Sequence, residues 1–114
     1  MKQLNKFLVV YVFSKFDDID RLKFFIDSYK KYPPGCPHEF LICFKLLNEE
    51  KLKLCRSITS GIIYKEFIDP INQNDFEFKT MERAVQNYND YIVLFLNSHC
   101  RFEKKNWLKI INDS

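Results

Sequence analysis

Glycine is nearly missing from this 114-residue chain, with Gly35 and Gly61 the only two. Neither lies between the first strand-like run and the first helical stretch. Dinucleotide-binding folds and P-loops place glycines there so that backbone can approach phosphate closely. Both readings are excluded, and a bound nucleotide has to be held another way. Runs of five or more basic residues are also missing, the net charge is only +3, and the charges are interspersed. Nothing in that pattern points to a nucleic-acid groove.

Long apolar runs are missing too. Phe7–Phe13 is apolar and follows Lys2 and Lys6, which superficially resembles a secretion signal. It covers only seven residues, Ser14-Lys15-Phe16-Asp17 follows, and no small-residue cleavage site is present. The run is too short to span a bilayer, and no transmembrane segment is expected. A buried core strand is the better reading.

The four cysteines, Cys36, Cys43, Cys55 and Cys100, contain no CxxC pair. Cys43 and Cys55 fall on apolar positions, so the set reads as reduced packing residues of a cytoplasmic protein. Cys36 and His38 with His99 and Cys100 have the residue types for a four-ligand zinc site. Each pair is too tightly spaced for the usual finger patterns.

What is present is apolar mass. The chain is 46% hydrophobic, with twelve Phe and six Tyr, enough to bury the core of one domain over residues 1–114. Four strand-like runs alternate with amphipathic stretches. Phe7–Phe13 is the first strand; Asp17 and Asp18 supply a helix cap, and Ile19, Leu22, Phe25, Ile26 and Tyr29 follow at helical spacing. Pro33-Pro34-Gly35 stops that helix. Glu39–Lys45 is the second strand. Asn48 caps a helix carrying Leu52, Cys55 and Ile58, with Gly61 at its left-handed C-terminal position.

Ile62–Ile68 is the third strand, ended by Asp69-Pro70. Asn74 or Asp75 caps a third helix, with Phe78, Met81, Ala84, Val85 and Tyr88 on one face. Tyr91–Leu96 is the fourth strand, and Asn106-Trp107-Leu108 opens a last helix. Strands alternating with helices and no hairpin signal imply right-handed βαβ units and a mostly parallel sheet.

In open α/β sheets, ligands bind outside the carboxyl ends of the strands. That rule directs attention to Ser14, Lys15 and Asp17 after the first strand, and to Asn97, Ser98 and His99 after the fourth. Ser14 and Asp17 can contact a base or ribose through directional hydrogen bonds; an ordinary loop and helix cap is the preferred reading of Asp17. Asp69 before a proline reads as a turn residue. Lys79 and Arg83 share a helical face and could present charge to a diphosphate, although a solvated face is preferred. Trp107 and Leu108 read as core anchors.

The stretch from Asn74 to Leu108 resembles the nucleotide-binding half of GT-A-fold glycosyltransferases, close to family 2. The resemblance rests on a polar turn, a helix with Ala84, and the strand Tyr91–Leu96 ending in Asn97-Ser98-His99. Asn106-Trp107-Leu108 completes it. Some polysaccharide-type members carry a similar Asn-Ser at this place.

The resemblance implies an α/β, three-layer Rossmann-like half with a four-stranded sheet in order 3-2-1-4, binding a nucleotide-diphospho-sugar donor. It implies a donor-binding set of Ser14, Asp17, Asp69, Lys79, Asn97 and Ser98. Asn97 and His99 stand where that family carries its metal-binding acidic motif, so a divalent cation, Mn or Mg, would be held weakly there. Hard cations prefer the carboxylates this chain lacks. The Asp usual after the second strand is replaced by Phe44-Lys45.

The acceptor-binding half and its catalytic base have no counterpart in the chain. A partial, hexosyl-type transferase is therefore expected, weakly active or inactive alone, with a partner chain able to supply the rest. The alternative is a non-enzymatic α/β module. Its sharpest form is a phosphoacceptor receiver, in which Asp17-Asp18 and Asp69 would form the acidic cluster.

Overall fold

The computed structural model describes residues 6–69 and 77–113. The elements run β1 (Phe7–Ser14), α1 (Ile19–Lys31), β2 (Glu39–Lys45), α2 (Glu49–Thr59), β3 (Lys65–Ile68), α3 (Glu77–Ala84), β4 (Ile92–Leu96) and α4 (Trp107–Asn112). The four strands form one sheet in order β3-β2-β1-β4. Every pairing is parallel, with Tyr11 beside Ile42 on one side and beside Leu96 on the other. The expected α/β class and strand order are both observed.

β1 is central and covered on both faces, which explains its unbroken apolar run. Phe7, Val9, Tyr11 and Phe13 pack with Leu22, Phe25 and Ile26 of α1, Cys55 of α2 and Trp107 and Leu108 of α4. Leu8, Val10 and Val12 face the other way, against Leu41, Cys43, and Met81 and Ala84 of α3. The result is three layers, with α1, α2 and α4 on one face and α3 on the other.

α1 is capped by Asp18, whose side chain accepts from the Asp20 N–H, and α2 by Asn48, whose side chain accepts from the Lys51 N–H. α4 is started differently. The carbonyl of Pro33 accepts from the Asn106 N–H, and that of Pro34 from the N–H groups of Leu108 and Lys109. Trp107 Nε1 donates to the Tyr32 carbonyl at 2.8 Å. The prolines that stop α1 thus satisfy the open donors at the start of α4.

Four expectations need correction. The third strand begins at Lys65, not Ile62: the Ile62 N–H turns back to the Thr59 carbonyl, and Ile63 is 95% exposed. β3 is an edge strand that pairs only with β2, so it needs fewer residues. The third helix ends at Ala84, and Phe78 lies on its exposed side while Thr80 is buried instead. The caps assigned to Asn74 or Asp75 lie outside the described residues.

The left-handed glycine is Gly35, at φ +82°, and not Gly61. A Cβ at Gly35 would lie 2.5 Å from Asn106 Oδ1, so both the turn and the α4 approach demand glycine there. Finally, Asp17 does not cap α1. Its carboxylate instead joins Ser14 at the end of β1 to Ser98 after β4.

Candidate functional site

β1 and β4 are neighbours, but their connections leave in opposite directions. β1 leads through α1 to β2 on one side, and β4 closes the sheet on the other. This is the switch point at which an open α/β sheet parts its loops into a crevice. Ser14 ends β1, and Asn97-Ser98-His99 follows β4.

Asp17 holds this place together. It is buried, and its Oδ2 accepts from the Ser14 backbone N–H at 2.8 Å and from Ser14 Oγ at 3.1 Å. Its Oδ1 accepts from Ser98 Oγ at 2.6 Å. Tyr11, stacked on Phe25 in the core, reaches up to donate its hydroxyl to the Ser98 carbonyl at 3.1 Å. Ser98 is therefore fixed through side chain and backbone. Sequence reasoning placed Asp17 at the cap because an acidic residue before a helix reads identically in either role.

Asn97 and His99 remain at the surface. Asn97 Oδ1 accepts from the His99 N–H at 3.0 Å and from Cys100 Sγ at 3.6 Å, which shapes the turn. His99 Nε2 lies against Arg21 Nη1. Arginine only donates, so Nε2 is the accepting nitrogen in this contact. Arg21, in the first turn of α1, also stands 3.9 Å from Asp17 Oδ1. Its spacing of four from Asp17 was the sequence signal that could have drawn it in.

Two hollows flank the N-terminal turn of α1. The larger, about 750 Å³, opens toward α2 and is lined by Asp17, Asp18, Ile19, Asn48, Lys51 and Leu54 among others. Lys51 Nζ donates to the carbonyls of Lys15 at 3.1 Å and Asp17 at 2.8 Å, tying the β1–α1 loop to α2. The smaller, about 160 Å³, lies on the β4 side against Arg21, Ser98, His99 and Arg101.

A second polar group sits where β2 and β3 end. Lys45, only 2% exposed, donates to Asp69 Oδ2 at 3.1 Å and to Thr80 Oγ1 at 2.9 Å. Thr80 donates to Asp69 Oδ2 as well. Arg83 clamps the same carboxylate, with Nε 2.9 Å from Oδ1 and Nη2 2.6 Å from Oδ2. Buried charge needs such pairing to be tolerated. Burial, with the negative charge of Asp69 adding to it, pushes the neighbouring Cys43 thiol up to about 12.

The structure thus gathers Ser14, Asp17, Asn97, Ser98 and His99 at one corner and uses Asp69 as the acceptor that ties α3 to β2. Lys79 belongs to neither group. It is exposed and lies 3.8 Å from Glu82, so the imagined Lys79–Arg83 pair is divided between two carboxylates. Lys45 and Thr80 were missed. A lysine closing an otherwise apolar strand was the available signal for the first.

As a divalent-cation site the corner does not fit. The Asn97 oxygen serves the turn, Ser98 Oγ donates to Asp17, and His99 Nε2 faces a guanidinium. Asp17, the carboxylate at hand, already accepts three hydrogen bonds. The zinc arrangement fits no better: His38 Nε2 meets the Tyr29 hydroxyl at 2.7 Å, while His99 meets Arg21. Among the described residues no group of three or more His, Cys, Asp or Glu side chains is placed to hold a metal ion.

Comparison with family models, curated proteins and solved structures finds no significant match to this chain. Among the described residues, no helix is long and apolar enough to cross a membrane. The strand order also separates the sheet from receiver domains, whose order is 2-1-3-4-5 with the third strand inside. Here β3 lies at the edge and the Asp69 carboxylate is enclosed.

Proposed function

We propose that this chain is a glycosyltransferase-like domain that binds a nucleotide-diphospho-sugar at the carboxyl edge of its sheet. The observation that carries the reading is the β1–β4 switch point, where Ser14, Asp17, Asn97 and Ser98 converge in an all-parallel sheet of order 3-2-1-4. Grooves at such points accept phosphorylated nucleotides in many unrelated α/β proteins. The larger hollow has room for the base and ribose, and Asp18, Asn48 and Lys51 offer it polar contacts. The diphosphate then lies toward Asn97 and His99.

In this reading the domain binds and orients the donor. Stabilising the departing diphosphate is the largest contribution it can make to transfer onto a hydroxyl. The base that deprotonates the acceptor comes from polypeptide outside the described residues. The outer edge of β4 favours such an addition: Ile92 and Phe95 are exposed there, and the Phe95 ring stands 6.5 Å from that of exposed Phe78. Strand pairing there would extend the sheet and cover this apolar edge.

Titration with UDP and GDP, followed by calorimetry or amide shifts, tests the reading. Saturable binding of one of them below about 1 mM, weakened by Asn97→Ala, is expected. Asn97 is exposed, so its variant keeps the core intact. Absence of binding at millimolar nucleotide ends the proposal.

A further inference from the structure

We infer that the smaller hollow is a metal-independent oxyanion site, in which Arg21, His99 and Arg101 bind phosphoryl oxygens directly. The inference rests on the donor-binding reading and replaces the divalent cation that the family resemblance implies. It begins from the misfit at the corner. Positions where acidic side chains would gather a cation instead carry Asn97, Ser98 and His99, and a guanidinium has moved in beside them.

The hollow's wall is Arg21, Phe24, Ser98, His99, Cys100 and Arg101. Arg21, His99 and Arg101 line it and no acidic residue does, so its chemistry favours anions. Its volume of about 160 Å³ equals a few water molecules, roughly 30 Å³ each. That suits one or two phosphoryl groups and is too small for a nucleoside, since sites for larger ligands start near ~300 Å³. Size and charge therefore select the same ligand class, a diphosphate or its end.

Each donor is available. Arg21 spends one N–H on His99 Nε2, and its other N–H groups form the planar fork that matches phosphoryl oxygens. Asp17 stands 3.9 Å away, beyond hydrogen-bonding distance, and holds Arg21 in place while its own oxygens serve Ser14 and Ser98. With Nε2 facing Arg21, Nδ1 is the ring nitrogen of His99 left to donate to an oxyanion. Arg101 pairs with Glu103 at 3.5 Å, but both side chains are exposed. A surface pair of this kind is weak enough to yield to a ligand.

The probe is inorganic pyrophosphate, titrated into the purified chain in EDTA and then with added Mg²⁺ or Mn²⁺. Pyrophosphate is expected to bind in EDTA, with metal tightening it less than about twofold. Arg21→Gln should weaken it about tenfold, one charged hydrogen-bonding group's worth. His99→Ala and Arg101→Gln should each weaken it about threefold or more, and Arg56→Gln, on a distant surface pair, should not. Circular dichroism checks each fold; if Arg21→Gln unfolds, the other two variants decide.

Loss of binding in EDTA, or unchanged affinity in all three variants, overturns the inference. UDP and GDP separate it from the donor reading. Binding of nucleotide only with metal keeps that reading and removes this one. Metal-free pyrophosphate binding at Arg21, with no nucleotide bound, does the reverse.

Discussion

Ser98 Oγ donates a 2.6 Å hydrogen bond to Asp17 Oδ1, joining two loops 81 residues apart at the end of the sheet. Both side chains are buried. The bond fixes where the residues after β4 stand relative to those after β1, so the geometry of the whole corner depends on it.

Asp17→Ala leaves three donors, on Ser14 and Ser98, without their acceptor. A cost of about 3 kcal/mol in urea unfolding is expected. Asp17→Asn should be nearly as costly, because its amide nitrogen would turn a donor toward donors. Ser98→Ala should cost about 1–2 kcal/mol, and the double variant less than the sum of the two. Strict additivity would show that the clasp holds nothing.

Asp69 is the hinge of the second polar group. Asp69→Ala removes the carboxylate shared by the buried Lys45 ammonium and the Arg83 guanidinium. A loss of about 3–5 kcal/mol is expected. Lys45→Met should cost far less, because Asp69 keeps Arg83 and Thr80 and the new side chain fills the same space. Equal losses in the two variants would contradict this account.

The parallel class and the identity of the core were legible because β1 and β2 are buried on both faces and read as unbroken apolar runs; the strand order was what the family resemblance implied, not something those runs dictate. Roles that depend on tertiary partners were not. Asp17 looked like a cap because a cap and a cross-sheet clasp need the same residue type. Met81 and Ala84 of the expected helix face do turn inward, but Phe78 of the same face is exposed and Thr80 is buried, because helical spacing fixes a face and not what covers it. Ile62 and Ile63 looked like strand, although β3 pairs only from Lys65 onward. Asn97 and Ser98 were found from their place at the end of an apolar strand, although β4 proves to be a half-exposed sheet edge and not a buried strand; Arg21 required knowing that α1 leans over that corner.

Thiol reactivity should divide the four cysteines. Cys43 and Cys55 are fully buried, and burial pushes their thiols up to about 12 and about 11. The thiolate is the reactive form, so both should resist a thiol reagent at neutral pH until the chain unfolds. Cys36 and Cys100 are partly exposed and should react in the native protein, with Cys36 slowed because burial and Asp113 raise its pKa. Counting labels by mass before and after urea checks this. A third thiol modified promptly under native conditions would contradict the buried placement.

His38 should make stability fall with acid. Its Nδ1 faces the Cys36 carbonyl at 3.3 Å and its Nε2 the Tyr29 hydroxyl at 2.7 Å, the one-donor, one-acceptor pattern of a neutral ring. Burial lowers its pKa below the ordinary 6.5, and the bond to Cys36 offsets only part of this. Between the two values the unfolded chain binds the extra proton, so stability rises with pH across that window. The contribution is complete above 6.5 and declines as pH falls toward the folded-state value, then levels off. Urea midpoints measured from about pH 5 to pH 8 should show this slope, and His38→Gln should flatten it. A slope that survives unchanged in His38→Gln would contradict this account.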